Sequence, residues 1–502
     1  MKKKYLFKVI DLSVLALVVV LMFLYLFRVL GFSDNTHSKA VFQQLYDLPE
    51  NIVDVAWLGP SSVQEYIIPS QIYEYTGITV YPLALGSVPF DSTELLIKEM
   101  EKTQDPKVYL IDIRDLAFSS LSDPSIRRVT DNMAMSENRT AMIDQLTSDW
   151  QEFLPVSKFN KLDYYFSFPK YHSRWQELEK ADFVDDDEVY LGYWIGKEVR
   201  VFDKDEVLAR MDAEEVEIPA ENLVFLNRFL DFCDSFGKRV VFTHTPHCLD
   251  EEKFGQYNLI MRLIRERGYE VWDMNESVDE IGLDYQTDFQ GPLHTNVWGS
   301  KKVTDYVSRC LVNFFHLPNH RGDPEYADYE EYVTRFNRAL DEYELTQITD
   351  FETYLEKLVS MKEGCNIYIA TYGIQGYGLS NQHASTLKQL GLNQVDALTQ
   401  PEYRSYAAII SDGNVLHEKL GEGTSDTVIE TYVDNTKVSL SSANWKGFYG
   451  CSIRLGVTER SQKENGFNIV VTDKETGEII DTVAFDTKDE ACTCIRFVTF
   501  EN

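Results

Sequence analysis

Short apolar runs alternate with segments of helical spacing through the N-terminal half of the chain. Asn51 to Leu58 reads as a buried strand, with Val53, Val55 and Trp57 on one face. Lys107 to Ile113, Arg239 to Thr243 and Tyr269 to Trp272 have the same character. Between them, Pro89 to Thr103 carries Leu95, Leu96 and Met100 on one helical face. Glu221 to Phe236 does the same with Leu223, Leu226, Phe229, Leu230 and Cys233. Phe254 to Arg267, stopped by Gly268, and Val297 to Phe315 complete the set of helices. Strands alternating with helices predict an α/β fold, a parallel sheet flanked by helices on both faces. In such a sheet the site lies beyond the carboxyl ends of the strands.

The alternation breaks down between Asp115 and Pro219, which reads as an insertion (115–219) rich in aromatics such as Tyr164, Tyr165, Tyr171, Trp175, Tyr190 and Trp194. Its position suits a lid or wall over the site. Its acidic run Asp185-Asp186-Asp187-Glu188 lacks the spacing and glycine turn of a calcium loop and reads as a solvated loop. Residues 317–362 are acidic with a helical pattern, as expected of a connector. Beyond them, 363–502 is mostly β, with strands at Asn366 to Ala370, Tyr406 to Ile410 and Gly466 to Val471. A turn at Asp473 to Gly477 returns the last of these as Glu478 to Phe485, a hairpin, and one helix runs from Gln382 to Leu390.

The chain has 502 residues, enough for two or three cores. Its formal net charge of -33 repels phosphate backbones, which excludes nucleic acid as a partner. Seven cysteines are scattered without a CxxC pair, so neither a zinc ribbon nor any other metal or cofactor is expected. Cys492 and Cys494, two apart, are expected to share a strand face.

The N-terminus holds Lys2, Lys3, Lys4 and Lys8, then an apolar run to about Phe32 broken only by Asp11 and Arg28. Lysines before such a run predict a single-pass signal anchor over residues 1–32, with the N-terminus cytoplasmic and the bulk extracytoplasmic. Residues 33–316 then form the α/β domain.

Two short segments carry the candidate chemistry. Trp57-Leu58-Gly59-Pro60-Ser61-Ser62 follows the first strand directly, and Asp288 to Asn296, containing His294, leads into the last helix of the domain. A serine hydroxyl needs a base within hydrogen-bond reach and donors for the oxyanion. Ser61, exposed after a strand and a Gly-Pro turn, is the candidate nucleophile, and His294, in a loop leading into a helix, the candidate base. His244 and His247, flanking Thr245-Pro246 at another strand end, either face the same site or shape a loop around the proline.

The N-terminal half resembles the SGNH (GDSL-like) hydrolase fold, in particular its DltD-like, membrane-anchored branch of envelope acyltransferases. The resemblance runs over about 50–316. It rests on Leu58 to Val63 with Ile68-Pro69, Asp105 to Asp112, Tyr171 to Trp175, and Asp288 to Asn296 with Gly299-Ser300. It implies Ser61 as nucleophile, His294 as base, and Ser62 and Gly86 as oxyanion candidates. The family's acid lies three residues before the histidine, where this chain has Gly291; Asp288 is the nearest alternative. The histidine that usually follows the nucleophile motif is absent, and Val88 stands where a polar oxyanion residue is expected.

The C-terminal region resembles the ILEI/PANDER domain. The matching stretches are Asn366 to Ala370, Leu387 to Leu392, Arg404 to Gly413, and Gly466 to Asp473 with Ala484 to Thr487. That resemblance implies binding of glycan or protein, with Trp445 and Tyr449 as candidate sugar-stacking residues. The expected partner is a cell-envelope polysaccharide or other acylated glycan, with a membrane protein as a second candidate. Three readings stand: a serine acyltransferase or esterase, a site that kept the fold but lost the chemistry, and a signalling module.

Overall fold

The computed structural model describes residues 2–31, 36–119, 121–153, 160–178, 182–183, 189–373, 379–400, 402, 404–422, 425–443, 450–488 and 491–496. The chain divides into two compact units, Met1–Phe336 and Asn337–Asn502. The acidic run 185–188 and the aromatics Trp445 and Tyr449 lie outside the described residues.

The first unit is built on a five-stranded sheet. Its strands are β1 (Val55–Gly59), β2 (Val80–Ala84), β3 (Val108–Asp112), β6 (Arg239–His244) and β7 (Glu270–Asp273), in the order β2-β1-β3-β6-β7. Every pairing is parallel. Side chains alternate between two cores, as a strand period of two requires. Val55, Trp57, Val80, Val108, Leu110 and Val241 pack on one face. Ala56, Leu58, Tyr81, Tyr109, Ile111 and Phe242 pack on the other. The buried Trp57 indole is not left unpaired, since its Nε1 donates to Thr243 Oγ1 at 3.1 Å. Helices Ala220–Phe236, Glu251–Glu266 and Val297–Phe314 match their sequence patterns to within a few residues.

The expectation missed β2. Its Pro82 lacks the N–H that a central strand needs, and the structure places the strand at the sheet edge, where proline is tolerated. The order also fixes the switch point: the chain leaves β1 toward β2 on one side, then crosses back to β3 on the other. The carboxyl ends of β1 and β3 therefore flank the crevice where α/β sheets bind ligands.

The insertion has two parts. Helices Asp123–Thr130 and Glu137–Phe153 add Ile126, Val129, Met142, Ile143 and Leu146 to one sheet-face core. The small hairpin β4 (Val189–Tyr190) and β5 (Tyr193–Trp194) then leads into a segment stitched to a second hairpin, β8 (Phe289–Gly291) and β9 (His294–Thr295). Val297 N donates to Gly196 O at 2.9 Å, and Asn296 Nδ2 donates to Glu198 O at 3.1 Å.

The apolar N-terminal run forms the helix Lys2–Val29, but the signal anchor expected there is corrected. No helix among the described residues is long and apolar enough to cross a membrane. Charges at Lys2, Lys3, Lys4, Lys8, Asp11 and Arg28 confine the uncharged stretch to Leu12 through Phe27. At a rise of 1.5 Å per residue that stretch covers about 24 Å, short of the roughly 30 Å hydrocarbon core. The single-pass placement inferred from the anchor falls with it.

The second unit is β-rich. A six-stranded sheet has the order β12-β11-β10-β17-β18-β19, with β10 at Cys365–Tyr372, β11 at Tyr406–Ser411, β12 at Asn414–Leu420, β17 at Gly466–Asp473, β18 at Ile479–Asp486 and β19 at Thr493–Ile495. A four-stranded sheet orders β13 (Thr427–Val433), β14 (Thr436–Ser442), β15 (Ser452–Leu455) and β16 (Thr458–Glu459). Tyr368, Ala370, Ile409, Val438, Leu440 and Ile453 fill the layer between the sheets. Helices Phe351–Met361 and Asn381–Gln389 cover the other face of the larger sheet through Tyr354, Leu355, Leu358 and Leu387. No disulfide joins any of the seven cysteines among the described residues. Cys492 precedes β19 with φ 45° rather than sharing the strand with Cys494, though both pack toward the same core.

Candidate active site

Ser61 lies two residues past β1 and opens the short helix Ser61–Tyr66. Gly59 ends the strand because nothing larger fits: an added Cβ would stand 2.7 Å from both Asp112 Cβ and Val63 Cγ2. His294 comes from β9, on the far side of the crevice in sequence. The fold brings the two together, with Ser61 Oγ 2.8 Å from His294 Nε2.

Two further side chains complete the cluster, and neither was picked out from the sequence. Arg114 follows β3, across the switch point from Ser61. It is 2 % exposed. Its Nη2 donates to Ser61 Oγ at 3.3 Å and lies 3.5 Å from His294 Nε2, while Nη1 donates to Leu293 O. Glu65 sits one helical turn after Ser61, and its Oε1 lies 3.6 Å from His294 Nε2. Its Oε2 accepts a hydrogen bond from Gln290 Nε2. A guanidinium only donates, so the Arg114 contact suits the neutral ring with its proton on Nδ1, the tautomer a general base for Ser61 needs.

Burial, reinforced by the Arg114 charge, lowers the His294 pKa to about 3. Burial raises Glu65 to about 7, against the opposing pull of Arg114 and Gln290. The imidazole is therefore neutral near pH 7, and Glu65 is poised between its two forms.

The acid positions differ from a complete triad. Gly291 pairs with His294 across the β8–β9 hairpin, and an added Cβ there would meet nothing within 4 Å. Asp288 is buried but engaged elsewhere. It binds Lys302 Nζ at 2.6 Å and accepts from Asp284 N at 2.8 Å and Thr287 Oγ1 at 2.9 Å. Glu65 is the one carboxylate within ion-pairing distance of His294 among the described residues.

Of the oxyanion candidates, the Ser62 side chain turns away into the core and donates to Asp112 Oδ1 at 3.0 Å. Gly86 lies two residues past Ala84, the partner of Gly59 in the β1–β2 register. Its carbonyl accepts from Arg128 Nη1 at 3.1 Å. Val88 is buried and apolar.

His244 and His247 do not join this cluster. They form a buried chain in which His244 Nδ1 is 3.1 Å from Asp273 Oδ1 and the two Nε2 atoms are 3.0 Å apart. Burial, with the neighbouring His244 and Arg114, holds His247 well below the ordinary imidazole range. Burial works against the Asp273 carboxylate, but His244 and Asn275 outweigh it and hold its pKa below the usual value.

A cleft of about 460 Å³ opens beside the base, lined by Glu65, Gln290, His294, Trp194, Ile195 and Lys197. Part of the insertion is thus a wall of the site. The arrangement offers a serine, a base of the right tautomer, a fixed cation and an open face for substrate. Among the described residues no group of histidine, cysteine and carboxylate side chains could hold a metal ion. No protein-family model matches the chain, and no curated protein is similar to it.

Proposed function

We propose that the N-terminal unit is a serine-dependent acyl-transfer or ester-hydrolysing centre of SGNH type, acting on an O-acylated glycan. The contact that carries this reading is the 2.8 Å approach of Ser61 Oγ to His294 Nε2 at the sheet's switch point. Ser61 Oγ attacks the ester carbonyl and its proton passes to Nε2. The carbonyl electrons move to oxygen, giving a tetrahedral oxyanion. Collapse breaks the bond to the leaving alkoxide, which takes the proton from Nε2. Water, or the hydroxyl of an acceptor glycan, then releases the acyl group from Ser61 by the reverse sequence. The second unit would hold the polymer, as its resemblance to the ILEI/PANDER domain implies.

The reading is tested by hydrolysis of p-nitrophenyl acetate by the full chain. Turnover that falls by about 10³ or more in Ser61→Ala supports it; background rates in both chains refute it. A second reading, a site that binds acylated glycan without turning it over, is favoured by Gly291 at the acid position. It predicts no turnover, but retention of both wild type and Ser61→Ala on acetylated glycan.

A further inference from the structure

Arg114 is buried without a salt-bridged carboxylate among the described residues, although its charge acts on Glu65 across the cluster. It is 2 % exposed, yet among the described residues no carboxylate lies within ion-pairing distance of it. Its side-chain partners are a carbonyl, a hydroxyl and an imidazole. Burying a cation without a salt-bridged carboxylate is costly even after relaxation. Such a charge, aimed at a nucleophile, marks a place where an anion arrives.

The surroundings say which anion. The guanidinium reaches the reacting oxygen itself, at 3.3 Å, from the opposite lip of the switch point. The Ser62 hydroxyl is tied to Asp112 and Val88 offers no donor, so among these side chains Arg114 is the one that donates at Ser61. We infer that Arg114 is a catalytic residue whose guanidinium stabilises the tetrahedral oxyanion formed on Ser61. This rests on the serine acyl-transfer reading.

Charge bookkeeping across the step favours it. Before attack the cluster holds Arg114 as cation, neutral His294 and Ser61, and Glu65 as anion when ionised. Attack creates one new anion on the carbonyl oxygen and one new cation on His294. Arg114 reaches Ser61 Oγ, where the anion forms, but lies as near the new cation, at 3.5 Å, as Glu65 does at 3.6 Å, so Glu65 offsets that repulsion and the total charge is unchanged. A preorganised donor of this kind typically contributes 10²–10³ in rate. The Arg114 charge also opposes protonation of His294, so Glu65 is the compensating group.

The test uses the full chain as wild type, Arg114→Gln and Arg114→Lys, with two readouts. The first is kcat and KM for p-nitrophenyl acetate. The second is affinity for phenylboronic acid, which adds to a serine hydroxyl as a tetrahedral anion and needs no turnover. The inference predicts that Arg114→Gln loses about 10²–10³ in kcat with KM changed little. Boronate affinity should fall in parallel, and Arg114→Lys, which keeps the charge and least disturbs the packing, should lie between. Added millimolar guanidinium should restore part of the Arg114→Gln rate. Should wild type turn over the ester while both variants keep kcat and boronate affinity within about threefold, the inference fails and the acyl-transfer reading survives. If wild type neither turns over the ester nor binds boronate, both fail.

Discussion

At the scale of single residues, the site is a balance of one cation, one titrating carboxylate and one neutral ring. Glu65 ionises at about 7, so the carboxylate that faces the protonated His294 is absent at low pH and present above neutrality. The other charged groups facing it are Arg114 from the β3 end and Lys197 and Glu198 from the insertion wall. Turnover is therefore expected to rise with pH through about 7. Glu65→Gln should give a lower profile, flat from pH 5 to 8; an unchanged rise in that variant would assign the titration elsewhere. His294 gives a second expectation. It is neutral in the fold, while in the unfolded chain it takes up a proton near its ordinary value of 6.5. Proton uptake then favours the unfolded chain increasingly as pH drops from 6.5 toward about 3. His294→Gln should lose that sensitivity, so its Tm relative to wild type should improve between pH 8 and pH 5. Ser61 and His294 were legible because each sits beside a recognisable strand end or helix start. Arg114 was not, because its meeting with Ser61 depends on β3 lying beside β1. Glu65 was not, because its reach depends on the six-residue helix Ser61–Tyr66, too short to leave a periodic signature.

At the scale of elements, the central strands were legible from their apolar runs, and the helices from their periodicity. The edge strand β2 was hidden by Pro82, and the hairpins β4–β5 and β8–β9 are too short to alternate visibly. The β8–β9 hairpin carries a direct experiment. Position 291 lies opposite His294 with open space around it, so Gly291→Asp should fold and place a carboxylate beside the imidazole. Its turnover is expected to exceed wild type by at least tenfold, a fraction of the ~10⁴ such an acid contributes in the protease case. No gain, in a folded variant, would show that the present cluster does not lack an acid. The end of β1 is the opposite case. Gly59→Ala drives a methyl into Asp112 and Val63, and should destabilise the unit by about 1–3 kcal/mol, read as a lower Cm in urea at unchanged m.

At the scale of the whole molecule, the two-part organisation was legible from the change of pattern along the chain. The boundary between the compact units falls at Phe336–Asn337, inside the helix Ala327–Gln347. Helix Phe351–Met361 belongs to the second core through Phe351, Tyr354 and Leu358. Apolar character alone misled at the N-terminus, where flanking charges shorten the uncharged stretch below a bilayer's thickness. The net charge of -33 acts over the entire surface and repels itself, so Tm should rise as salt screens it from low ionic strength to about 0.5 M. A falling Tm would mean that the molecule's ion pairs outweigh that repulsion. As an activated nucleophile, Ser61 should react with a fluorophosphonate. Intact-mass and peptide analysis of the full chain should show one adduct, on Ser61, absent in Ser61→Ala and strongly slowed in His294→Gln. Wild-type chain that stays unmodified, or carries its adduct on another residue, would contradict it.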